Sequence, residues 1–264
     1  MSPPLHLYKY RSLRQPLDRK AVKRGLLNQE LYFPVHTEFN DLFDCNQQVS
    51  PTTDPVACAA RLRELNPRMS DAEIDALVQH ELSPARAQEI AANTRDGMYQ
   101  ALARVGILSL SAKPDDLLMW SYYADGHRGV CLQFAIREGD GQLFGCDLTE
   151  VHYELQCPLL TVYDDLTMDW TRRYLSTKAK VWEHEEEWRI IWRKSGMNRF
   201  PPEDLSGVIV GAQISPQDRA KVVSWIADSA SSPTLYEARP KSASFGVDIV
   251  QVEDADRSGH PTTG

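Results

Sequence analysis

Short apolar runs rich in β-branched and aromatic residues recur along the chain and predict β-strands. The predicted strands are Leu5–Tyr10, Glu30–Val35, Ile107–Ser111, Gly129–Phe134, Thr149–Leu155, Glu187–Trp192, Gly207–Val210 and Val247–Val252. Most of these runs follow one another without a regular helical crossover. The pattern therefore favours an α+β fold with mixed, largely antiparallel sheets over a Rossmann fold.

The segment from about residue 54 to residue 105 carries helix signals instead. Ser70 and Glu73 have the spacing of a capping box, in which each side chain bonds the backbone N–H of the other residue. Ser83 precedes Pro84, as an N-cap residue precedes a proline at the first helical position. We expect two or three helices here.

This helical segment is interpreted as an insertion in one α+β domain that covers residues 1–253. Two further helices are predicted, one over Arg14–Leu27 with a basic face and one that begins at Ser215 and Pro216. The polar residues 254–264 are expected to form a flexible tail.

Composition and charge narrow the class of protein. The chain has 264 residues, a formal net charge of -8 and 42% hydrophobic residues, which is an ordinary globular composition. No apolar run approaches the roughly 20 residues of a membrane-spanning helix. Five cysteines without a C-x-x-C pair argue against a disulfide framework and against a cysteine-rich zinc site. We expect a cytoplasmic protein, and the acidic charge argues against broad nucleic-acid binding.

Candidate binding residues lie in the first half of the chain. Arg11 ends the first predicted strand, and its planar guanidinium suits a phosphate or carboxylate. Ser109 and Ser111 alternate along one strand and therefore share a face. Trp120, Tyr123 and His127 form one stripe if that stretch is helical, and this stripe is either a stacking pocket or plain core.

Candidate catalytic residues lie in the second half. Glu185 and Glu187 stand two positions apart at the start of a predicted strand, between Trp182 and Trp188. Residues at this spacing in a strand project to the same side, where two carboxylates repel and one can be held near a partner or a substrate cation.

Four ordered motifs place these polar residues among aromatic ones: Tyr8-Lys9-Tyr10-Arg11, Phe39-Asn40-Asp41-x-Phe43-Asp44, Trp120-x-x-Tyr123-x-x-x-His127-x-Gly129 and Trp182-x-x-Glu185-x-Glu187-Trp188-Arg189. Together they resemble an uncharacterised bacterial family, the domain of unknown function twenty-nine seventy-one, over about Leu5 to Ile249. Leu42 departs from the proline that the family usually has there. The resemblance implies an effector of antiviral defence or toxin type and carries no activity with it.

A second resemblance supplies an activity. ADP-ribosyltransferases have an ordered Arg, Ser-x-Ser and Glu-x-Glu pattern, and this chain is similar with Arg11, then Ser109 and Ser111, then Glu185 and Glu187. It implies an ADP-ribosyltransferase-like fold with NAD as substrate. Arg11 is expected to anchor the phosphates on the same surface as Ser109, and Glu187 to be the catalytic carboxylate with Glu185 as its helper.

In this interpretation the two serines support the ribose. Trp120, Tyr123 and His127 line or underpin the same cleft, with Tyr123 towards the ligand and His127 in an orienting role. The partners are then NAD, an acceptor that is a protein, an RNA or a small molecule, and possible regulatory proteins.

Two other classes stay open. A metal-dependent nuclease or phosphodiesterase would use Asp41, Asp44 and the glutamate pair on a divalent ion, with Lys178 as phosphate partner. In a non-enzymatic binding or interaction module, Arg189, Lys178 and Arg128 would only neutralise nearby acids.

Overall fold

A computed structural model of the chain describes residues 3–45, 49–50, 54–137, 141–161 and 168–253. The chain divides into two compact units. The first unit comprises Met1–Pro34, Gly106–Val151 and Val181–Gly264, and the second comprises Val35–Val105 and His152–Lys180. The predicted helical insertion falls wholly in the second unit, whereas the predicted tail lies outside the described residues.

Strands and helices are numbered in chain order. The strands are β1 (His6–Arg11), β2 (Glu30–Phe33), β3 (Val49–Ser50), β4 (Gly106–Ser111), β5 (Val130–Ala135), β6 (Gln142–Leu143), β7 (Cys146–Glu150), β8 (His152–Glu154), β9 (Leu160–Thr161), β10 (Thr177–Ala179), β11 (Glu187–Trp192), β12 (Gly196–Arg199), β13 (Leu205–Val210), β14 (Thr234–Pro240) and β15 (Val247–Gln251). The α-helices are α1 (Pro16–Leu27), α2 (Pro55–Leu65), α3 (Asp71–Glu81), α4 (Pro84–Leu102), α5 (Leu117–Tyr123), α6 (Met168–Leu175) and α7 (Pro216–Ala227).

The first unit is built on a nine-stranded sheet in the order β15-β14-β13-β5-β1-β4-β11-β7-β6. Strands β13 and β14 pair in parallel, and the other neighbours in this sheet pair antiparallel. The predicted α+β class with a mixed, largely antiparallel sheet is therefore confirmed.

Each face of this sheet packs against different helices. One face, here called the α1/α7 face, buries Leu7, Leu108, Val130, Leu132 and Val208 together with residues of α1 and α7. The opposite face, here called the α5 face, buries Tyr10, Cys131, Ile209 and Ala238 against Met119 and Trp120 of α5. Complete burial of one such large apolar side chain contributes about 1.5–3 kcal/mol.

The middle of the sheet is locally split between β1 and β4. These strands share one register pair, Tyr8 with Ser111, whereas β1 and β5 share six. Next to that pair, the Lys9 ammonium donates to the carbonyl oxygen of Ser109 over 2.6 Å. A lysine side chain thus supplies a hydrogen bond where the backbone ladder stops.

Helices α2, α3 and α4 of the second unit confirm the predicted helical segment. Helix α3 begins with the expected capping box, because Ser70 Oγ accepts from the Glu73 amide and Glu73 accepts from the Ser70 amide. Ser83 stands at the N-cap of α4, but its hydroxyl donates to the His80 carbonyl oxygen and bonds no amide of the helix.

The predicted strand Thr149–Leu155 is two strands in the structure. Strand β7 pairs with β11 in the first unit, and β8 pairs in parallel with β10 in the second. The chain passes from one sheet to the other at Val151, whose N–H donates to the Glu187 carbonyl oxygen. Among the described residues, no helix combines the length and the apolar character needed to cross a membrane.

Candidate functional site

The Ser-x-Ser and Glu-x-Glu segments lie side by side in the first unit. Glu187 of β11 is directly opposite Ser111 of β4, and Arg189 is directly opposite Ser109. Directly opposite residues in an antiparallel pair share a face of the sheet. Both serines therefore stand beside the charged end of β11 on the α5 face, and the expected common face of the serines is confirmed.

Tyr8 extends this row onto a third strand. It is the register partner of Ser111, so Tyr8, Ser111 and Glu187 stand in line across β1, β4 and β11. Burial raises the pKa of Tyr8 to about 12, with further contributions from Cys131, Tyr236 and Asp115. Its phenol is therefore neutral near pH 7 and can donate a hydrogen bond.

Glu187 forms a two-point ion pair with Arg189. The guanidinium donates from Nε to Glu187 Oε1 over 2.8 Å and from Nη2 to Oε2 over 3.2 Å. The side chains of Arg189 and Glu187 are only 0% and 4% exposed. Two positions apart on one strand, they point to the same side, and each compensates the charge that the other brings into the interior.

Glu185 lies in a different local structure from Glu187. It ends a 3₁₀ turn over Lys180–Glu185, so the strand alternation expected to align it with Glu187 does not apply. Tyr123 Oη donates to Glu185 Oε1 over 2.8 Å, and Ser111 Oγ donates to the Glu185 carbonyl oxygen over 2.6 Å. Tyr123 ends helix α5, so this helix and strand β4 both fix Glu185.

The expected position of Arg11 is wrong. Arg11 is the register partner of Val130 on the α1/α7 face, whereas Tyr8 shares the α5 face with Ser111 and Glu187. Burial lowers the pKa of Arg11, and the carboxylate of Asp18 in α1 opposes this shift. The sheet therefore separates Arg11 from the serine and glutamate residues that it was expected to join, and this placement counts against the ADP-ribosyltransferase interpretation, which required Arg11 on their surface.

The expected aromatic stripe of Trp120, Tyr123 and His127 belongs largely to the packed interior. Trp120 is 0% exposed, packs edge-on against Tyr10 and donates from Nε1 to the Pro114 carbonyl oxygen over 2.9 Å. It is therefore core and lines no ligand cleft. His127 lies beyond the end of α5 in a turn with φ of 65° and stacks on Trp120. Tyr123, through Glu185, is the member that reaches the site.

His127 also differs from its expected orienting role. Its Nδ1 atom is buried and has no hydrogen-bond partner in the part of the chain that the structure describes. Burial lowers its pKa, which favours the neutral ring.

The residues of the nuclease hypothesis fall in both units. In the second unit, Lys178 Nζ lies 3.8 Å from Asp44 Oδ2, and Asp41 Oδ1 accepts from the Phe43 amide, as in the expected Asx turn. Glu185 and Glu187 belong to the first unit. Over the described residues, no three His, Cys, Asp or Glu side chains cluster closely enough to hold a metal ion.

Comparisons with protein-family models, curated proteins and solved structures found no match. Sequence reasoning missed Tyr8 as the β1 residue of the row, although a signal was present: Leu7 is apolar, and residues at odd positions of this strand share its face.

Proposed function

We propose that this chain is an NAD-cleaving, ADP-ribosyltransferase-like enzyme whose site lies on the α5 face of β1, β4 and β11. The observation that carries the proposal is the register of Tyr8, Ser111 and Glu187 on three adjacent strands, with Glu185 beside them. The ordered Ser-x-Ser and Glu-x-Glu pattern supports it because both segments contribute to one site.

The chemistry requires a fixed negative charge near the ribose. When the bond between ribose C1′ and the nicotinamide nitrogen breaks, nicotinamide leaves with the electron pair and C1′ gains oxocarbenium character. A nucleophile, either water or an acceptor group, then bonds to C1′ and loses a proton. A preorganised carboxylate stabilises the positive charge without having to reorganise.

We assign that carboxylate to Glu185, which reverses the roles expected of the two glutamates. The charge of Glu187 is already compensated by Arg189, so less of it is available to a developing cation. Tyr123 donates a hydrogen bond to Glu185 and so fixes the position of this carboxylate. In this arrangement the Glu187–Arg189 pair positions the start of β11.

Arg11 lies on the other face of the sheet and cannot serve this site. On the α5 face, Tyr8 offers a neutral hydrogen-bond donor in the row. Ser111, Glu185 and Glu187 are at most 3% exposed, so substrate access requires the groups above them to move.

One observation favours a second candidate, a non-enzymatic binding module. Arg189 and Glu187 are both almost fully buried and are joined by two hydrogen bonds. Such an ion pair has a structural role of its own and needs no substrate to explain it. In this case the row is a rigid polar part of the interior, and no nicotinamide is released.

The test follows nicotinamide release from labelled NAD by the purified protein, alone and with bacterial lysate. We expect release by the native chain and a loss of roughly two orders of magnitude or more in Glu185→Gln, the scale for one preorganised electrostatic group. Tyr123→Phe should lower turnover less, because it removes one hydrogen bond and keeps the carboxylate itself.

Glu186→Gln is the matched control. Glu186 lies between the two glutamates in sequence, but it is exposed and pairs with Lys113 over 2.8 Å. Its removal should leave nicotinamide release unchanged. If the native chain releases no nicotinamide under either condition, the proposal of an enzyme is overturned and the binding module is favoured.

The proposal also includes an acceptor for ADP-ribose and a role as a toxin or defence effector. Expression of the native chain in bacteria should slow growth and lower cellular NAD if it is a toxin or defence effector, and Glu185→Gln should abolish both effects. Labelled ADP-ribose recovered on protein, on RNA or on a small molecule identifies the acceptor.

A further inference from the structure

The polar row on the α5 face continues past Tyr8 across three more strands. Tyr8 is opposite Gln133 of β5, Gln133 is opposite Gly207 of β13, and Gly207 is opposite Thr234 of β14. Counted from Glu187, Gly207 is four strand spacings away, which is about 19 Å at about 4.8 Å per spacing. The row is therefore long enough to contact an extended ligand.

Gly207 is the point in this row where other side chains approach the backbone. A Cβ atom there would lie 2.9 Å from Cε2 of Tyr236 and 3.3 Å from Nε2 of Gln133. The tyrosine ring and the glutamine amide therefore meet above the glycine. Any larger residue would push them apart, so glycine is what permits this arrangement.

The groups around Gly207 are suited to a flat heterocycle. Tyr8 and Tyr236 are half-buried, so part of each residue is still exposed. Gln133 is 8% exposed and donates one N–H to Ser206 Oγ over 3.1 Å. A glutamine amide carries a second N–H and a carbonyl oxygen, the pair of groups that matches the N6 and N7 edge of adenine.

We propose that Tyr8, Gln133 and Tyr236 around Gly207 bind the adenine ring of an adenine nucleotide. This inference deepens the proposed function, on which it rests for the identity of NAD as that nucleotide. Adenine stacks on the tyrosines, and the amide of Gln133 reads its edge. The nicotinamide half then extends along the row towards Ser111 and Glu185.

The experiment titrates AMP into the purified full chain and measures binding by calorimetry. AMP has no nicotinamide, so its binding is independent of NAD cleavage. We expect saturable binding that Tyr236→Leu weakens by roughly 10- to 100-fold, the usual effect of losing one stacking ring. Tyr236→Phe keeps the ring and should bind nearly as the native chain does.

Tyr122→Leu is the matched control, because Tyr122 is a 63% exposed tyrosine outside the row and should not affect binding. Gln133→Leu should weaken AMP more than GMP, since a leucine no longer distinguishes the amino group of adenine from the carbonyl of guanine. It also provides a test that does not depend on Tyr236→Leu being folded.

The outcomes separate the two proposals. If AMP binding is saturable and depends on Tyr236 or Gln133, but the protein releases no nicotinamide, the adenine site is supported and the proposed NAD-cleaving activity is overturned. Nicotinamide release with the same KM for NAD in the native chain, Tyr236→Leu and Gln133→Leu overturns the adenine site. Absence of saturable AMP binding by the native chain also overturns it.

Discussion

At the scale of single residues, the most demanding interaction is the ion pair between Glu187 and Arg189. Both side chains are removed almost completely from water, so each depends on the other for compensation of its charge. A buried pair of this kind contributes little net stability over an apolar pair, but removing one partner leaves an uncompensated charge in the interior.

We therefore expect Glu187→Gln to lower the free energy of unfolding by about 3–5 kcal/mol, measured by urea denaturation. Glu64→Gln, in the exposed pair Arg61–Glu64, is the control and should change stability by less than about 1 kcal/mol. The double variant Glu187→Gln with Arg189→Met should cost less than the sum of the single changes. Equal losses in Glu187→Gln and Glu64→Gln would contradict the pair's structural role.

Tyr8 makes a prediction about pH. Its pKa is raised from 10.0 to about 12, so the folded state favours the neutral phenol more than the unfolded state does. This contribution to stability is fully present below about pH 10 and is lost as the pH rises towards 12. In the ultraviolet titration of phenolate, the difference between the native chain and Tyr8→Phe should therefore appear well above pH 10. A difference centred near pH 10 would refute the burial of this phenol.

The roles of residues on β1 illustrate what sequence patterns leave open. Arg11 and Tyr8 both stand in a segment that was correctly predicted as a strand, and a difference of three positions puts them on opposite faces. The functional resemblance favoured Arg11 because arginine suits phosphate. Whether Arg11 or Tyr8 belongs to the site depends on which of them pairs with Ser111 and which with Val130. Strand pairing is a long-range property that the local sequence does not contain.

At the scale of elements, the N-cap serines of α3 and α4 can be compared directly. The N-cap serine of α3 bonds an amide of its helix, whereas the N-cap serine of α4 bonds the carbonyl of His80. We expect Ser70→Ala to lower the stability of α3 by about 1 kcal/mol and Ser83→Ala to cost less than about 0.5 kcal/mol. Hydrogen exchange at the amides of Ile74 and Val78 measures the first change.

A loss in Ser83→Ala as large as that in Ser70→Ala would show that the serine contributes by another route. Both serines were predicted as caps, since the residue type and spacing were right for each. The difference arises from the turn before α4, where the hydroxyl finds a carbonyl acceptor.

Elements with a strong local pattern were predictable, and those defined by tertiary partners were not. The helices over 54–105 and the strand Glu187–Trp192 were found because capping residues or an apolar run marked them. Strand β14 was missed because Glu237 and Arg239 interrupt its apolar pattern, although Leu235 and Ala238 are buried. Its strand conformation depends on the ladders with β13 and β15.

At the scale of the whole molecule, the nine-stranded sheet depends on the N-terminal segment. Strand β1 lies between β5 and β4, so its removal leaves two incomplete halves with unpaired edges. Deletion of residues 1–34 should abolish cooperative unfolding of the first unit, measured by near-ultraviolet circular dichroism. A synthetic peptide of residues 1–34, added in trans, should restore part of the signal, and a cooperative transition in the truncated chain alone would contradict this expectation.

The central place of β1 also sets an order of events during translation. Strand β1 leaves the ribosome before the other strands of its sheet, and Ser111 and Gln133, the register partners of Tyr8, follow 103 and 125 residues after it. The segments of the second unit are complete at Lys180, before β11 and β13–β15 have been made. Newly made chains therefore carry a strand with unpaired edges for much of synthesis, and the sheet that holds the proposed site closes only after every segment of the second unit has been made.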